Sequence, residues 1–511
     1  MAIEPKFERL ASSQRVKLGV TQAVIECRLP VTDEGEITKV LCANAKSFIL
    51  NTEVVGNDVL FGGNVNFQVI YENTTGETNG LDYTADFKEK FSSPQINAGV
   101  VPIVVSSVVD VNTTISGNDI KVVAIVEISV DAIVSVEVNA LTCVNGENVY
   151  SNTEDISYSC FAGVLADKFD VGYDIEIKDN ISKVLEVTCS PYVESVTPYE
   201  KFAKVVGGAN IDICYVTNGE NSVLRTHQTK VNFEQEVALD GLQETSCVQS
   251  LLTINNSQIK ITTNIDADYA VVNLNLPYNY CGYVFNKKEM EVVDDVFSTD
   301  NYLKVKTESF NSLICGGNLT VESKVVGNVE SDETFMDEVL GTCCNTITVA
   351  TAYVNDGNLI VEGVASTTVL YFNKESNNTY STVVEMPFSI NEQTNNLSND
   401  FVPIVNVSLG EVSAKVRRGR ELDVSATLFV YADFYAENTE AVITEIDMQE
   451  EKPENMSVLT IYVVKPNETI WEISKNLNIN PDSLLEQNPN VQLPLMGGEK
   501  LIVYRQKEVM F

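Results

Sequence analysis

The stretch Lys39-Val-Leu41, followed by Gly62-Gly-Asn-Val65 and Val69-Ile-Tyr71, sets the pattern for most of this 511-residue chain. Two later copies run Lys183-Val-Leu185, Gly207-Gly-Ala-Asn-Ile211 and Ile213-Cys-Tyr215, and then Glu338-Val-Leu340, Val361-Glu-Gly-Val364 and Val369-Leu-Tyr371. The tyrosine follows the leucine by 30, 30 and 31 residues. The whole unit repeats after about 145–155 residues, which is too long for a solenoid repeat and typical of a domain.

Each unit has the pattern of β-strands. Apolar and polar residues alternate in Val109-Asp-Val-Asn-Thr-Thr-Ile115, and β-branched residues are frequent. Turn-forming sequences such as Ser116-Gly-Asn-Asp119 and Asn355-Asp-Gly357 separate the runs. We therefore predict a mainly β protein of three repeated sandwich- or barrel-like domains. Short helices are predicted only near residues 4–15, between the units and in the last fifty residues.

The chain is strongly acidic, with a formal net charge of −38. Such a charge repels nucleic acid and anionic membranes, so neither is an expected partner. It fits a partner with a basic surface, and it fits simple solubility equally well. The first residues lack the charged and apolar regions of a signal peptide, and no apolar run approaches the roughly 18 residues of a membrane span. We therefore expect a protein that is not exported.

The eleven cysteines are irregularly spaced, and none forms a Cys-x-x-Cys pair. With His227 as the one histidine, a zinc cluster of ordinary spacing is not expected, so we predict no metal and free, buried thiols in a reducing compartment. Cys343 and Cys344 are adjacent in a predicted strand. Neighbouring side chains of a strand point to opposite faces, so a bond between these two would be strained.

No phosphate-binding loop, dinucleotide fingerprint or nucleophile elbow is present. His227 lies in a polar run and is expected in an exposed hairpin. We predict no catalytic residues, no cofactor and no enzymatic activity, although two carboxylates placed in a cleft would suffice for a glycosidase. The basic run Lys415-Val-Arg-Arg-Gly-Arg420 is either an ordinary charged turn or a contact for an acidic partner beside the C-terminal module.

The C-terminal segment begins Ile461-Tyr-Val-Val-Lys-Pro-Asn-Glu-Thr-Ile-Trp-Glu-Ile-Ser474. It predicts a strand, a turn, two helices and a closing strand at Leu501-Ile-Val503. Thr469 is expected to cap the first helix, with Glu472 completing a capping box. Asn480-Pro-Asp-Ser483 is expected to begin the second helix, with proline at its first position.

This segment resembles a LysM domain, a small module that usually binds glycans and sometimes proteins. The repeated units resemble the SPOCS domain of spore-coat-associated proteins in endospore-forming bacteria. Their combination resembles spore-coat morphogenetic proteins of these bacteria. The resemblance implies a non-enzymatic adaptor in the mother-cell cytoplasm, at the forespore surface and spore coat. Its implied partner is the coat-basement ATPase, stage IV sporulation protein A. The alternatives are a peptidoglycan-binding protein of the cell or spore envelope and a hydrolase of cortex peptidoglycan.

The resemblance also suggests binding residues. The family's glycan groove corresponds here to Asn467, Glu468, Thr469, Ile470, Asn488, Pro489 and Asn490. Asn467-Glu468 replaces the family's Gly-Asp pair, which argues against tight glycan binding. Ile461 and Val463 should face outward from the first strand, opposite Tyr462 and Val464, as a protein contact. Trp471 either joins that contact or packs into the core.

These patterns divide the chain into five segments. We predict SPOCS-like domains at 1–160, 161–310 and 311–445, an acidic linker at 446–457 and the LysM domain at 458–506.

Overall fold

The computed structural model describes residues 3–31, 35–218, 223–265, 269–330, 335–453 and 458–505. The first unit contains β1 (Glu4–Pro30), β2 (Ile37–Val55), β3 (Asp58–Asn73), β4 (Thr78–Ser92), β5 (Val101–Ser116) and β6 (Asp119–Asn145). The second contains β7 (Val149–Ile177), β8 (Ile181–Pro198), β9 (Phe202–Thr217), β10 (Leu224–Ala238), β11 (Cys247–Ile254), a 3₁₀ turn (Asn256–Gln258), β12 (Lys260–Ile265) and β13 (Ala270–Ser298). The third contains β14 (Asn301–Glu330), β15 (Glu338–Asn355), β16 (Asn358–Asn373), β17 (Asn378–Gln393), β18 (Val402–Arg417) and β19 (Glu421–Glu451). The C-terminal module contains β20 (Leu459–Val463), α1 (Ile470–Leu477), α2 (Pro481–Glu486) and β21 (Lys500–Tyr504).

Each unit is a sandwich of two antiparallel sheets. The first unit pairs its strands in the orders β2-β3-β4 and β1-β6-β5. The third unit has the matching orders β15-β16-β17 and β14-β19-β18. In the second unit, β8-β9-β10 faces a sheet in which β13 pairs with β7 on one side and with β11 and β12 on the other. The prediction of three repeated, mainly β domains is confirmed, and the described sheets are open rather than closed barrels.

The leucine of the repeated motif is a β-bulge. Val40 pairs with Tyr71, and the next pair skips Leu41. Leu185 and Leu340 are skipped in the same way in β8 and β15. A bulged residue leaves the ladder and is free to turn aside. All three leucines pack in one apolar cluster that draws residues from all three units. The motif therefore marks the place where the units meet.

Three long strand pairs join the units a second time. In each pair, the two strands remain hydrogen-bonded well beyond the sandwich and form a two-stranded ribbon. The pairs are β1 with β6, β7 with β13, and β14 with β19. The ribbons pack on one another through two buried apolar clusters, each with residues from all three units. The first cluster consists of Leu10, Ala140, Ile156, Tyr158, Val292, Phe310 and Val442. The second cluster lies further along the ribbons and consists of Leu141, Val144, Val293, Val296, Ile443 and Ile446. Equivalent residues of the three units thus meet around one pseudo-threefold axis.

Hydrogen bonds close the ring of units. Lys39 Nζ in the first unit donates to the carbonyl of Thr379 in the third, at 2.7 Å. The equivalent Lys183 in the second unit donates to the side chain of Asn79 in the first. The third unit touches the second through the edges of β15 and β10. Each unit therefore contacts the other two in a cyclic order.

A glycine bulge bends each long strand where its sandwich meets its ribbon. Gly19, Gly163 and Gly317 lie beside register shifts and have φ values of 154°, 147° and 87°. These backbone conformations favour glycine because a Cβ would be strained there. The glycines are 144 and 154 residues apart, and so follow the period of the repeat. Their positions were not apparent from the sequence pattern alone.

The long strands also run across several predicted limits. Residues 4–15 belong to β1, so the short helix predicted there is wrong; pairing with β6, more than a hundred residues away, decides this segment. The boundaries predicted after residues 160 and 310 fall within β7 and β14. The predicted acidic linker begins inside β19, and residues 454–457 lie outside the described residues. In the described part of the chain, no helix has the length and apolar character needed to cross a membrane.

Buried carboxyl groups lie between units. Asp433 of β19 accepts a hydrogen bond from the backbone N–H of Ser250 in the second unit, at 2.9 Å, and is 3% exposed. Burial raises the pKa of Asp433 to about 8 and that of Asp212 to about 6. An unfolded aspartic acid has a pKa of about 4. The folded protein therefore holds protons that the unfolded chain releases, and stability falls as the pH rises from about 4 to 8.

Asp433→Asn should remove its share of this pH dependence. The amide stays neutral and can still accept from Ser250, so the variant should be more stable than the natural chain at pH 9, by on the order of 1–3 kcal/mol. The difference should shrink towards pH 5. Denaturant unfolding at both pH values measures it, with the exposed Asp447→Asn as control. An equal effect of Asp433→Asn at the two pH values would contradict the assignment.

The glycine bulges can be tested at Gly317, where an added Cβ would meet no atom within 4 Å. Only the backbone conformation opposes a side chain there, so Gly317→Ala should cost about 1–2 kcal/mol. Gly172→Ala is the matched control, because its Cβ also meets no atom and its φ is not in the left-handed region. Equal midpoints of thermal unfolding for the two variants would rule out a conformational role for Gly317.

Candidate functional site in the C-terminal module

The C-terminal module has its own small core. Val464, Ile473, Leu484, Leu501 and Val503 are buried together, and Tyr462, Ile470 and Leu477 pack against them. β20 and β21 form an antiparallel pair, with α1 and α2 between them in the chain. The predicted strand–helix–helix–strand order is confirmed, as is the inward direction of Tyr462 and Val464.

The first turn is built around Asn467 and Glu468. Asn467 has a φ of 61°, so the asparagine adopts the left-handed conformation for which the family's glycine is suited. The carboxylate of Glu468 accepts hydrogen bonds from the Tyr462 hydroxyl at 2.5 Å and the Lys465 backbone N–H at 2.9 Å. The bond from Tyr462 lowers the pKa of Glu468 below its usual value. Both carboxylate oxygens are therefore used inside the turn.

Both helix starts form as the sequence predicts. The Thr469 hydroxyl accepts from the Glu472 backbone N–H at 3.2 Å, and the Glu472 carboxylate accepts from the Thr469 backbone N–H at 2.8 Å. This reciprocal pair is a capping box. At α2, the Asn480 side chain accepts from Asp482 and Pro481 occupies the first turn.

Residues that follow α2 form hydrogen bonds with the β21 edge of the small sheet. Asn488 donates to the carbonyls of Leu484 and Ile502, each at 2.8 Å, and accepts from the Ile502 N–H at 2.7 Å. Gln487 makes a similar pair of bonds with the backbone of Tyr504. The outward-facing backbone groups of Ile502 and Tyr504 in β21 are thereby satisfied. Sequence reasoning missed Gln487, whose place beside the suspected groove was its only signal.

The seven suspected groove residues are therefore of two kinds. Asn467, Thr469, Pro489 and Asn490 are exposed on the module surface. The side chains of Glu468 and Asn488 are engaged in the bonds just described, and Ile470 packs against the core.

The outer face of the sheet is an exposed apolar surface. Ile461 and Val463 are 61% and 52% exposed, which confirms that they face outward. Leu459, Ile502 and Tyr504 are also exposed, and in the register Ile461 lies opposite Ile502 and Leu459 opposite Tyr504. We call these five residues the outer face of the module. An apolar cluster of this size on so small a domain is typical of an interaction site.

Among the described residues, no strand pairs with the second edge of β20. Val464 exchanges hydrogen bonds with the β21 side, through Glu499 and Gly498, and backbone direction alternates along a strand. The backbone groups of Leu459, Ile461 and Val463 therefore point away from β21, and no hydrogen bond reaches them within the described residues. The outer face thus borders an unpaired strand edge.

Trp471 is half-buried and contacts the second unit. Its indole N–H donates to Asp295 at 2.8 Å, and its ring meets Phe297 edge-on at a centroid distance of 5.0 Å. Lys475 Nζ lies 2.6 and 2.7 Å from the two Asp295 oxygens. Burial alone would raise the pKa of Asp295. The hydrogen bonds from Lys475 and Trp471 outweigh this effect and hold the pKa below its usual value. We call Asp295, Phe297, Trp471 and Lys475 the docking contact.

Two other suspected features lie elsewhere. The basic run at residues 415–420 forms the turn between β18 and β19, at the opposite end of β19 from the module. Its Arg417 and Arg418 pair with Asp423 and Glu421. His227 lies within β10, opposite Ile213, and is half-buried rather than in an exposed hairpin.

Two family models match the chain. One, described as the SPOCS domain of SipL, matches residues 36–116, which cover β2 to β5 of the first unit. The other, the LysM domain, matches residues 462–495. No curated protein and no solved structure matches. Both matched domains are binding or scaffold types rather than catalytic types, and the SPOCS match connects the chain with sporulation. A SPOCS match in the first of three similar β units and a LysM match in the C-terminal module support a SipL-like SPOCS/LysM protein.

Proposed function

We propose that the protein is a non-enzymatic adaptor that links the spore coat to the forespore surface. Its LysM domain binds the coat-basement ATPase, stage IV sporulation protein A, from the mother-cell cytoplasm. The observation that carries this proposal is the outer face of the module, which is apolar and exposed beside an open strand edge. The SPOCS and LysM matches support a sporulation-associated binding protein, and the choice of this partner rests on the resemblance.

The outer face offers two sources of affinity. Burying Ile461, Val463 and Ile502 against a partner removes apolar surface from water, at about 25 cal/mol per Å². The open edge of β20 can also accept a partner strand, in which case main-chain hydrogen bonds add to the apolar contact. Both features favour a protein partner, since a sugar offers no strand to pair.

Charge gives further support for apolar recognition. Residues 458–505 contain four basic and five acidic side chains, a net charge of −1, whereas the whole chain carries −38. The module is thus nearly neutral at the end of an acidic chain. Binding through its outer face should consequently respond weakly to salt.

The peptidoglycan alternative has less support from the site. The polar groups of Glu468 and Asn488 are already hydrogen-bonded to the module's own backbone and to Tyr462. Four exposed residues, Asn467, Thr469, Pro489 and Asn490, remain available to a sugar. The same binding assays distinguish the two ligands.

Trp471 has a different role in this proposal from the one expected of an exposed aromatic residue. Its indole is held by Asp295 and Phe297 of the second unit, so it fixes the module on the ribbon end. The docking contact thereby holds the outer face in one orientation relative to the second unit. Trp471 contributes to partner binding through this orientation.

Ile461→Glu should weaken partner binding at least about tenfold, because a charge in an apolar contact must be desolvated. Titration of the full chain with purified stage IV sporulation protein A, by calorimetry, measures this effect. Val326→Glu is the control, since Val326 is 72% exposed on the third unit. Equal binding by both variants, or retention of the natural chain by insoluble peptidoglycan and not by the ATPase, would contradict the proposal.

Asp295→Ala should release the module from the ribbon, because Trp471 and Lys475 lose a shared partner. As the chain has one tryptophan, its fluorescence reports this contact directly. The emission should shift to the red and become more accessible to an aqueous quencher. The control is Asp294→Ala, the exposed neighbour. An unchanged spectrum in Asp295→Ala would show that the docking contact does not hold the module.

A further inference from the structure

Three thiols meet where the sandwiches join. Cys42 comes from β2 of the first unit, and Cys343 and Cys344 come from β15 of the third. Their sulfur atoms all lie within 4.8 Å of one another, and Cys42 Sγ is 3.0 Å from Cys343 Sγ. All three side chains are buried in the same cluster as the bulged leucines. Among the described residues, this is the one group of three such side chains close enough to share a metal ion.

The backbone explains how adjacent cysteines reach the same point. Cys343 pairs with Thr368, but the next pair joins Thr346 to Ser366, so the ladder is interrupted at Cys344. Cys344 has a φ of 52°, in the left-handed region that non-glycine residues rarely adopt. The alternation expected of a regular strand is lost, and both thiols turn to one side. Unusual backbone of this kind is concentrated at functional sites.

A buried acidic group of the second unit, Glu186, lies near the thiols but outside the group of three sulfur atoms that lie within 4.8 Å of one another. Glu186 follows the bulged Leu185 in β8, at the position that Cys42 has in β2. It is 5% exposed, and its Oε1 has no hydrogen-bond partner among the described residues. Its side chain is hydrogen-bonded to Asn44, and Cys42, Cys214 and Cys344 lie within its electrostatic range. A buried carboxylate oxygen without a partner is costly unless something binds it.

We propose that Cys42, Cys343 and Cys344 bind one zinc ion where the three units meet, and that the Glu186 carboxylate moves towards the sulfur atoms to become the fourth ligand. Zinc in closed structural sites takes four ligands in a tetrahedron, and thiolate and carboxylate are among its usual donors. A Zn–S distance of about 2.3 Å places the sulfurs about 3.8 Å apart, within the spread found here. The thiols lose their protons to solvent as the ion binds.

The ion would tie all three units together, since its ligands come from each of them. A neighbouring lysine offsets part of the excess negative charge of the loaded site. Three thiolates and a carboxylate exceed the charge of Zn²⁺, and the buried Lys46 lies close enough for its charge to act on Cys344 and Glu186. Lys46 Nζ donates to the Cys189 carbonyl at 2.7 Å, which fixes it at the boundary between the first and second units. This site is independent of the partner proposed for the C-terminal module.

Metal analysis of the full chain tests the proposal. The chain, reduced, loaded with zinc and then desalted, should retain about one zinc per molecule. Cys344→Ser should lower this to near zero, whereas Cys143→Ser and Cys27→Ser, outside the cluster, should leave it unchanged. Glu186→Gln keeps the side-chain volume and should weaken retention against a chelator by at least about tenfold.

Cobalt substitution keeps the test decisive if a variant fails to fold. Co²⁺ bound to the natural chain should show intense thiolate-to-cobalt charge-transfer absorption and tetrahedral ligand-field bands. Absence of both zinc and these bands in the natural chain would overturn the proposal. So would full zinc content in folded Cys344→Ser. Mass spectrometry showing a Cys42–Cys343 disulfide in the freshly isolated, metal-free chain would identify the cluster as a redox pair instead.

Discussion

Each unit exposes apolar surfaces that it cannot cover by itself, and this constraint shapes the molecule. The sandwich buries its own core, but the bulged leucine and the long ribbon lie outside it. Only equivalent surfaces of the other two units cover them. The clusters along the axis therefore draw side chains from all three units, as an oligomer interface does from its subunits. A chain with two units would leave these surfaces in water.

The β-bulges allow the three sandwiches to pack together. Glycine bulges direct the long strands from sandwich to ribbon, and the leucine bulges aim side chains at the axis. The ribbon end of the second unit then receives the C-terminal module through Asp295, which lies next to another bulge in β13. The position of the module thus depends on the packing of the units, although its own core is separate. Its outer face is presented by this arrangement.

Local patterns in the sequence predicted the parts of the fold that depend on local physics. The spacing from Leu41 to Tyr71 reflects a register in which neighbouring Val40 pairs with that tyrosine. Thr469 and Glu472 predicted the start of α1, and alternation in β20 predicted the direction of Ile461. Each of these follows from residues within one hairpin or one helix turn.

Contacts between distant parts of the chain escaped prediction for the same reason. Trp471 is hydrogen-bonded to Asp295, which lies 176 residues away in the chain. The sequence around either residue contains no pattern that indicates this contact. Cys343 and Cys344 were expected on opposite faces because a regular strand alternates, and one residue at positive φ removes that alternation. The SPOCS-like repeats suggested three domains, but not that their strands continue past the sandwiches as ribbons.

Hydrogen exchange of the full chain, with and without stage IV sporulation protein A, tests the account most directly. The alternate amide groups of Leu459, Ile461 and Val463 in β20 point to the edge that is unpaired among the described residues, and Ile502 and Tyr504 of β21 form part of the outer face. We expect slower exchange in residues 459–463 and 500–504 when the partner is bound. Protection confined to the groove loops at 467–470 and 488–490, or to the three units, would contradict it.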